Sequence, residues 1–304
     1  VSTPERRRAV LIAGPTASGK SALALARAAR SGGLIVNADA MQVYDGLSIL
    51  TARPQAPDLA RAEHALYGVI DPAVRFSTGA WLEAARAVIA QSGVRELIFV
   101  GGTGLYFEAL TNGIATIPPV PEAIVQAIAA EVAPLDRQQR FALLAARDPD
   151  MVERLKEPDA QRLVRALSVK AATGQSLAHF TAAGQSGLLD GFAVERVVLR
   201  PDRALLRERI ARRLQTMWEE GARAEVEALL ALGLDPSLPA MKAIGVPEIA
   251  GWLAGRLTSV EAMDLAVTAT RQYAKRQSTW FRNRMGDWPG YDPFAESLPP
   301  GLLS

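Results

Sequence analysis

The sequence predicts an α/β fold: a parallel sheet flanked by helices, with an all-helical subdomain inserted into it. Three observations carry this reading. Short apolar runs alternate with helical patterns through the first third of the chain, as in strand–helix–strand units. Strand signals then vanish between about residues 113 and 191, where prolines and helical segments take over. A strand returns at Arg196-Val197-Val198-Leu199.

Taken in order, Ala9–Ala13 reads as a buried strand, followed by a glycine-rich turn and an alanine-leucine helix over Ser21–Arg30. Gly32-Gly33 stops that helix, and Leu34-Ile35-Val36 starts the next strand. Leu97-Ile98-Phe99-Val100 is a third strand, ending in Gly101-Gly102-Thr103-Gly104. Pro118-Pro119 and Pro121 break the chain before helical segments over Ala123–Val132, Asp136–Ala146 and Asp159–Ala172. Asp202 suits the N-cap of a long helix that Gly221 ends. The remainder is mostly helical, with a Pro/Gly-rich tail after Trp288. The expected organisation is a core from 1–112 and 192–304, with the helical insertion over 113–191.

The composition is that of a chain able to bury a large core: 304 residues, 49% hydrophobic and 22% charged. A net charge of +2 does not announce nucleic-acid binding, so local charge must carry any such reading. The absence of cysteine excludes disulfides, thiolate metal sites and a cysteine nucleophile. Two histidines, His64 and His179, are too few for a histidine-rich metal centre. With Arg6–Arg8 near a polar start and no long apolar stretch, the expectation is a cytoplasmic monomer with no membrane span.

Gly14-Pro15-Thr16-Ala17-Ser18-Gly19-Lys20-Ser21 fits the P-loop pattern between a strand and a helix, which makes the core P-loop NTPase-like. Backbone N–H groups turned inward, together with the helix N-terminus, favour a phosphate. Lys20 adds a full charge, and the Ser21 hydroxyl can ligate Mg²⁺. The loop reads a diphosphate and not the organic group attached to it, so a kinase is the natural first reading. That reading weakens because the Leu97–Val100 strand ends in glycines, without the carboxylate that usually helps hold the metal. Asp39, just beyond Leu34–Ala38, falls where a residue faces the ligand crevice. It is either a metal-associated acid or a general base.

Six ordered motifs spread over most of the chain resemble the bacterial tRNA dimethylallyltransferase family, also called tRNA isopentenyltransferase. They are Gly14–Ser21, Asp39–Tyr44, Gly101–Tyr106, Asp159–Leu167, the Arg209–Val226 helix pair and Thr270–Phe281. The resemblance implies transfer of a dimethylallyl group from dimethylallyl diphosphate to N6 of the adenosine 3′ of the anticodon, releasing diphosphate. It implies Lys20, the loop amides, Mg²⁺ on Ser21 and Arg213 at the leaving group, Thr16 at the bridging oxygen, and Asp39 as general base. Asp39, Ala40, Met41, Gln42 and Thr103 would meet the extruded base. Gln161, Arg162, Leu163, Val164 and Arg165 on the insertion would meet the rest of the anticodon loop. The Arg271–Arg284 segment, basic and interleaved with Tyr273, Trp280 and Phe281, suits RNA or simply a solvated helix face.

Departures from the family pattern are Ala40 for a usual serine, Val125 for a common arginine and Leu50 for a usual glycine. Val246-Pro247 also interrupts the pattern after Ile244-Gly245. These imply altered tRNA contacts, not a different reaction. His64, His179, Trp81 and Trp252 are expected to be structural or surface residues. Competing functions are a small-molecule kinase, a prenyltransferase acting on free adenine nucleotides, and a catalytically silent RNA-binding module.

Overall fold

The structure, a computed structural model, describes residues 6–156, 158–180 and 186–295. The chain forms two compact units, Val1–Thr111 with Leu188–Ser304, and Asn112–Gly187.

The first unit opens with strand β1 (Arg8–Ala13), helix α1 (Lys20–Ser31), β2 (Leu34–Asn37), α2 (Ala56–Leu59), β3 (His64–Ala65), α3 (Thr78–Gln91), β4 (Leu97–Gly101) and α4 (Gly104–Asn112). The inserted unit contributes α5 (Glu122–Val132), α6 (Arg137–Arg147), α7 (Ala160–Thr173) and α8 (Leu177–Phe180). The chain then returns through β5 (Ala193–Leu199), α9 (Arg203–Glu219), α10 (Ala222–Ala231), α11 (Val246–Leu253), α12 (Ser259–Arg284) and β6 (Gly290–Tyr291).

The six strands form one parallel sheet in the order β3-β2-β4-β1-β5-β6. Val10, Leu11 and Ile12 are buried on both faces of the central strand, which explains its unbroken apolar run. Leu23, Ala24 and Ala28 of α1 pack on Val10, Ile12, Ile35 and Ile98. Gly32, at φ 65°, ends α1 in the left-handed conformation and returns its N–H to Ala28 O. Asp202 caps α9, its carboxylate accepting from the N–H groups of Ala204 and Leu205. Gly221 begins the next helix at φ 115°. The basic Arg271–Arg284 segment is the second half of α12, whose start is fixed by a Thr258–Glu261 capping box.

Two edge strands were not legible in the sequence. Gly290–Tyr291, read as part of a tail, pairs in parallel with Val198 and Leu199, and His64 pairs with Ile35. A two-residue ladder has no periodicity to detect. The rest of the tail after Phe294 and Ala295 lies outside the described residues, as do Val1–Glu5.

The inserted unit has its own core, built from Ile128, Val132, Leu144, Leu155, Leu163 and Leu167 among others. Asp136 and Asp159 cap α6 and α7. This unit ends at Gly187, before the 191 read from the glycine signal. The reason is local: the Leu188 N–H already donates to Leu110 O at 2.9 Å, so Gly191 turns within the first unit.

Arg27 and Glu96 form a bidentate pair at 2.7 and 2.9 Å, with Arg27 only 1% exposed. Arg27→Met would leave the buried Glu96 carboxylate with only the half-exposed Arg8, at 3.4 Å, as a charged partner. We expect a loss of about 3–5 kcal/mol in urea unfolding; a loss below about 1 kcal/mol would show that water reaches Glu96.

Candidate active site

Loops from the carboxyl ends of β1, β2 and β4 meet at one edge of the sheet. The β1 loop is the P-loop. Its Gly14 N–H donates to Gly101 O, and Ser18 N–H to Pro15 O. Gly19 at φ 91° and Ala17 at φ 63° turn the loop into α1. A non-glycine residue in the left-handed region costs about 1–2 kcal/mol, and such strain gathers at functional sites. Ser18 is fully buried. Lys20 is buried beneath the loop, with Nζ 3.4 Å from Pro15 O.

After β2 the chain makes a tight polar turn. Asn37 accepts from the Asp39 N–H and donates to Asp39 O and Leu66 O, and Asp39 Oδ1 accepts from the Met41 N–H at 3.0 Å. The turn is supported from behind by Trp81, which is fully buried, donates to Asn37 O and stacks on Tyr106 at 4.2 Å. Ala40 N–H donates to Thr103 Oγ1, and Gln42 Nε2 donates to Thr51 O and Ala52 O. Gly101 admits the closest approach: a Cβ there would lie 2.0 Å from Ala38 O. A Cβ on Gly102 would meet Gln277 Nε2 at 2.1 Å and Asp39 Oδ2 at 3.2 Å.

Gln277, buried on α12, ties these loops together. Its Oε1 accepts from the Thr16 N–H at 2.9 Å, and its Nε2 donates to Gly102 O at 2.9 Å. From α9, Arg209 Nε donates to Ala17 O at 3.1 Å while its guanidinium lies 4.7 Å over Phe294. Tyr273 on α12 hydrogen-bonds with Thr103 and Gln277.

Two adjoining cavities open at this edge. The larger, about 760 Å³, is polar and lined by Gly19, Lys20 and Ser21 together with Arg209, Arg212 and Arg213. The smaller, about 310 Å³, is mainly apolar, walled by Met41, Leu50, Ile210, Leu214, Ile244 and Tyr273. Thr16, Ala17, Asp39, Thr51, Arg213 and Met217 line both. Asp39 thus stands where a charged and an apolar compartment meet.

Burial holds the Lys20 ammonium down to about 8; Asp39 opposes that shift and Arg213 adds to it. Burial also lowers the Arg213 guanidinium, against the pull of Asp39. The Tyr273 and Tyr106 phenols are pushed up, first by burial and then by the Asp39 charge, so both stay neutral.

Glu225 on α10 organises the lining loop. Its carboxylate accepts from the N–H groups of Ser48, Ile49 and Leu50 and from the Ser48 hydroxyl. Leu50 lies over Gly245, where a Cβ would come within 2.5 Å of Leu50 Cδ2. Pro247 sits in the first turn of α11, and Glu248 accepts from the Gly245 N–H, so the Val246-Pro247 departure becomes a helix start.

The first unit therefore brings together Gly14–Ser21, Asp39–Gln42, Thr103 and Arg213. Gln161, Arg162 and Arg165 are exposed on α7 of the inserted unit. Leu163 is fully buried in that unit's own core with Val164 packed against it, so its side chain is not available to a ligand. His64 Nδ1 pairs with Ala62 O, a structural role. Gln277 and Glu225 belong to matched motifs, but their roles had no local signal: each bonds residues more than 170 positions away.

This geometry defines an α/β P-loop enzyme with a carboxylate beside its phosphate cradle. The chain belongs to the IPP transferase family, whose model matches residues 42–284; a second model, isopentenyl transferase, matches residues 7–68. It is 48% identical to the tRNA dimethylallyltransferase of Mesorhizobium japonicum over 94% of this chain and 90% of that protein. It is 51% identical to that of Methylobacterium sp. (strain 4-46), over 92% of each. The crystal structure of the tRNA isopentenylpyrophosphate transferase from Bacillus halodurans is similar at a TM-score of 0.66 and 30% identity, covering 94% of this chain and 90% of that one. A eukaryotic dimethylallyltransferase acting on tRNA shares the fold at a TM-score of 0.79 and 24% identity, over 94% of this chain and 74% of that one.

Glu225→Gln would remove the charge on which three N–H groups converge. We expect about 1–3 kcal/mol of lost stability, together with a raised KM for a diphosphate ligand; a KM unchanged beside such a loss would separate the loop from binding. Lys20 gives a pH prediction. It is charged below about pH 8 and neutral above, and a bound diphosphate favours the charged form. Binding above that pH therefore takes up a proton, and affinity falls as pH rises through 8, by at most about tenfold per unit. Calorimetry in buffers of different ionisation heat would register the uptake. Affinity constant from about pH 7 to about pH 9.5 would remove Lys20 from the anion site.

Proposed function

We propose that this chain transfers the dimethylallyl group of dimethylallyl diphosphate to N6 of the adenosine 3′ of the anticodon in tRNA. The observation that carries the reading is that Asp39 borders both the cationic P-loop cavity and the apolar one. A small-molecule kinase needs the first compartment; an allylic diphosphate meeting a flat base needs both.

The donor's diphosphate lies in the polar cavity against the loop amides and Lys20, with Arg213 beside it and Thr16 at the bridging oxygen. The allyl group points into the apolar cavity, whose walls keep water from the electron-poor carbon. An adenine amine is a weak nucleophile, because its lone pair is delocalised into the ring. The C–O bond to diphosphate breaks as the N6–C bond forms, and the N6 proton passes to Asp39 Oδ2. Oδ2 is suited to this because Oδ1 is already held by the Met41 N–H. The adenosine must leave the anticodon stack to arrive here, and we assign its contacts to Ala40 and Met41 of the apolar cavity, Gln42 of the polar one, and Thr103, which supports the Ala40 N–H from behind.

The Ser21 hydroxyl lines the polar cavity, and it is a hard oxygen donor of the kind Mg²⁺ takes alongside phosphate oxygens. We assign that ion to Ser21, where it would neutralise charge on the departing diphosphate. Gln161, Arg162 and Arg165 are assigned to RNA contact on the inserted unit. The enzyme is taken to work as a cytoplasmic monomer, and light scattering should return the mass of one chain. No helix among the described residues is long and apolar enough to cross a membrane.

The direct test is to incubate the protein with unmodified tRNA, Mg²⁺ and dimethylallyl diphosphate, then weigh the digested nucleosides. A prenyl-sized gain on adenosine is expected. Conversion of ATP to ADP without that gain would favour the kinase. Asp39→Asn should slow turnover by roughly 10²–10⁴ with tRNA affinity little changed. Parallel losses in rate and binding would make Asp39 a positioning residue instead.

A further inference from the structure

The loop between β2 and α2 runs along both cavities. Ser48 and Ile49 line the polar one, Leu50 the apolar one, and Thr51 both, so the loop crosses the boundary at Leu50. The Leu50 side chain rests on the bare backbone of Gly245, where a Cβ would come within 2.5 Å of Leu50 Cδ2. Gly245 has φ 102°, in the left-handed region, so a side chain there would be strained as well as in collision. Ile244, next to it, lines the same cavity, as do Leu214 and Met217 of α9.

Both sides of this contact are held by a carboxylate. The Leu50 N–H donates to Glu225 Oε2 at 2.9 Å, and the Gly245 N–H donates to Glu248 Oε2 at 2.8 Å. The Ala52 N–H donates to Ile49 O and the Arg53 N–H to Ser48 O, which closes the loop into a turn around Leu50. A wall fixed in this way yields little to a ligand, so the space it leaves decides what fits. That space is small. Organic ligand sites run from about 300 to about 1,000 Å³. At about 310 Å³, the apolar cavity has to take the allyl group and part of the base together.

We propose that Leu50, seated on Gly245, limits the donor to a single isoprene unit and so excludes geranyl and longer allylic diphosphates. The inference rests on the proposed function and names the donors its site admits. All such donors share the diphosphate and the reactive carbon, so the polar cavity cannot tell them apart. Only the hydrocarbon beyond that carbon differs, and its place is against the aliphatic lining of the other cavity. A leucine side chain and one further isoprene unit are of similar bulk, so the two compete for one space. Forcing carbons into a packed wall drives side chains off their rotamers, whereas a shorter chain meets no such penalty. The step is the same for either donor: the C–O bond to diphosphate breaks as the N6–C bond forms, and the N6 proton passes to Asp39.

The test gives the full chain unmodified tRNA, Mg²⁺ and equal concentrations of dimethylallyl and geranyl diphosphate, then weighs the modified adenosines. The product ratio reads the ratio of kcat/KM for the two donors, and a variant that is merely less stable lowers both alike. The parent should favour the shorter donor by at least roughly tenfold. Leu50→Ala keeps the main-chain bond to Glu225 and should move the ratio toward geranyl by roughly 10–200-fold. Leu50→Met, close to leucine in volume, should keep the parent's ratio. A parent that uses both donors equally overturns the proposal, as does a Leu50→Ala ratio equal to the parent's; dimethylallyl transfer in either case leaves the proposed function standing. Parallel loss of both donors in Leu50→Ala makes the residue loop packing alone and overturns the proposal as well. A parent that modifies tRNA with neither donor removes both readings together.

Discussion

One side-chain amide fastens the site. Gln277 accepts from the Thr16 N–H and donates to Gly102 O, so a helix near the end of the chain locks the phosphate loop to the β4 turn. Because Gln277 is buried, breaking either bond would leave a polar group without water to replace it. The glycines of that turn make the lock possible: only a residue without a side chain lets Gln277 and Asp39 lie so close to position 102. The catalytic geometry therefore depends on the long C-terminal helix as much as on the N-terminal loop that signals it.

The electrostatics follow from the same arrangement. A P-loop, a buried lysine and four arginines around one cavity outnumber its three carboxylates and favour an anion. Asp39 is close enough to moderate Lys20 and Arg213, yet it also borders the mainly apolar compartment, which Lys242 and Arg276 line as well. This division suits a reactant that is charged at one end and greasy at the other. It also keeps Tyr273 and Tyr106 neutral beside the carboxylate, as polar but uncharged wall.

The sequence was most informative where the determinants are local. The P-loop follows from eight consecutive residues, and Asp39 from its place just beyond an apolar strand. The helix cap at Asp202 was readable because a carboxylate binds N–H groups two or three residues on, whereas Asp136 and Asp159, read as the first residues of their helices, prove to be caps. Where the determinant is tertiary, the reading stopped. Gln277 and Glu225 act across more than 170 residues, and nothing beside them in the chain says which loop they hold. The two-residue edge strands exist only because a neighbour offers a ladder. Leu163 shows the converse, since a motif position expected to face RNA is fully buried in the insertion's core. Leu50, which departs from the family's glycine, is explained by the bare backbone of Gly245 beneath it.

The proposed reaction requires Asp39 Oδ2 to meet the amine of an RNA base while a diphosphate fills the loop. A crystal structure with an anticodon stem-loop and an unreactive analogue of the allylic diphosphate tests that directly. It should place adenosine N6 within about 2.6–3.2 Å of Asp39 Oδ2, with the analogue's phosphates on the P-loop amides. An adenosine still stacked in its loop, or an Asp39 carboxylate turned onto a metal with no base beside it, would contradict the account.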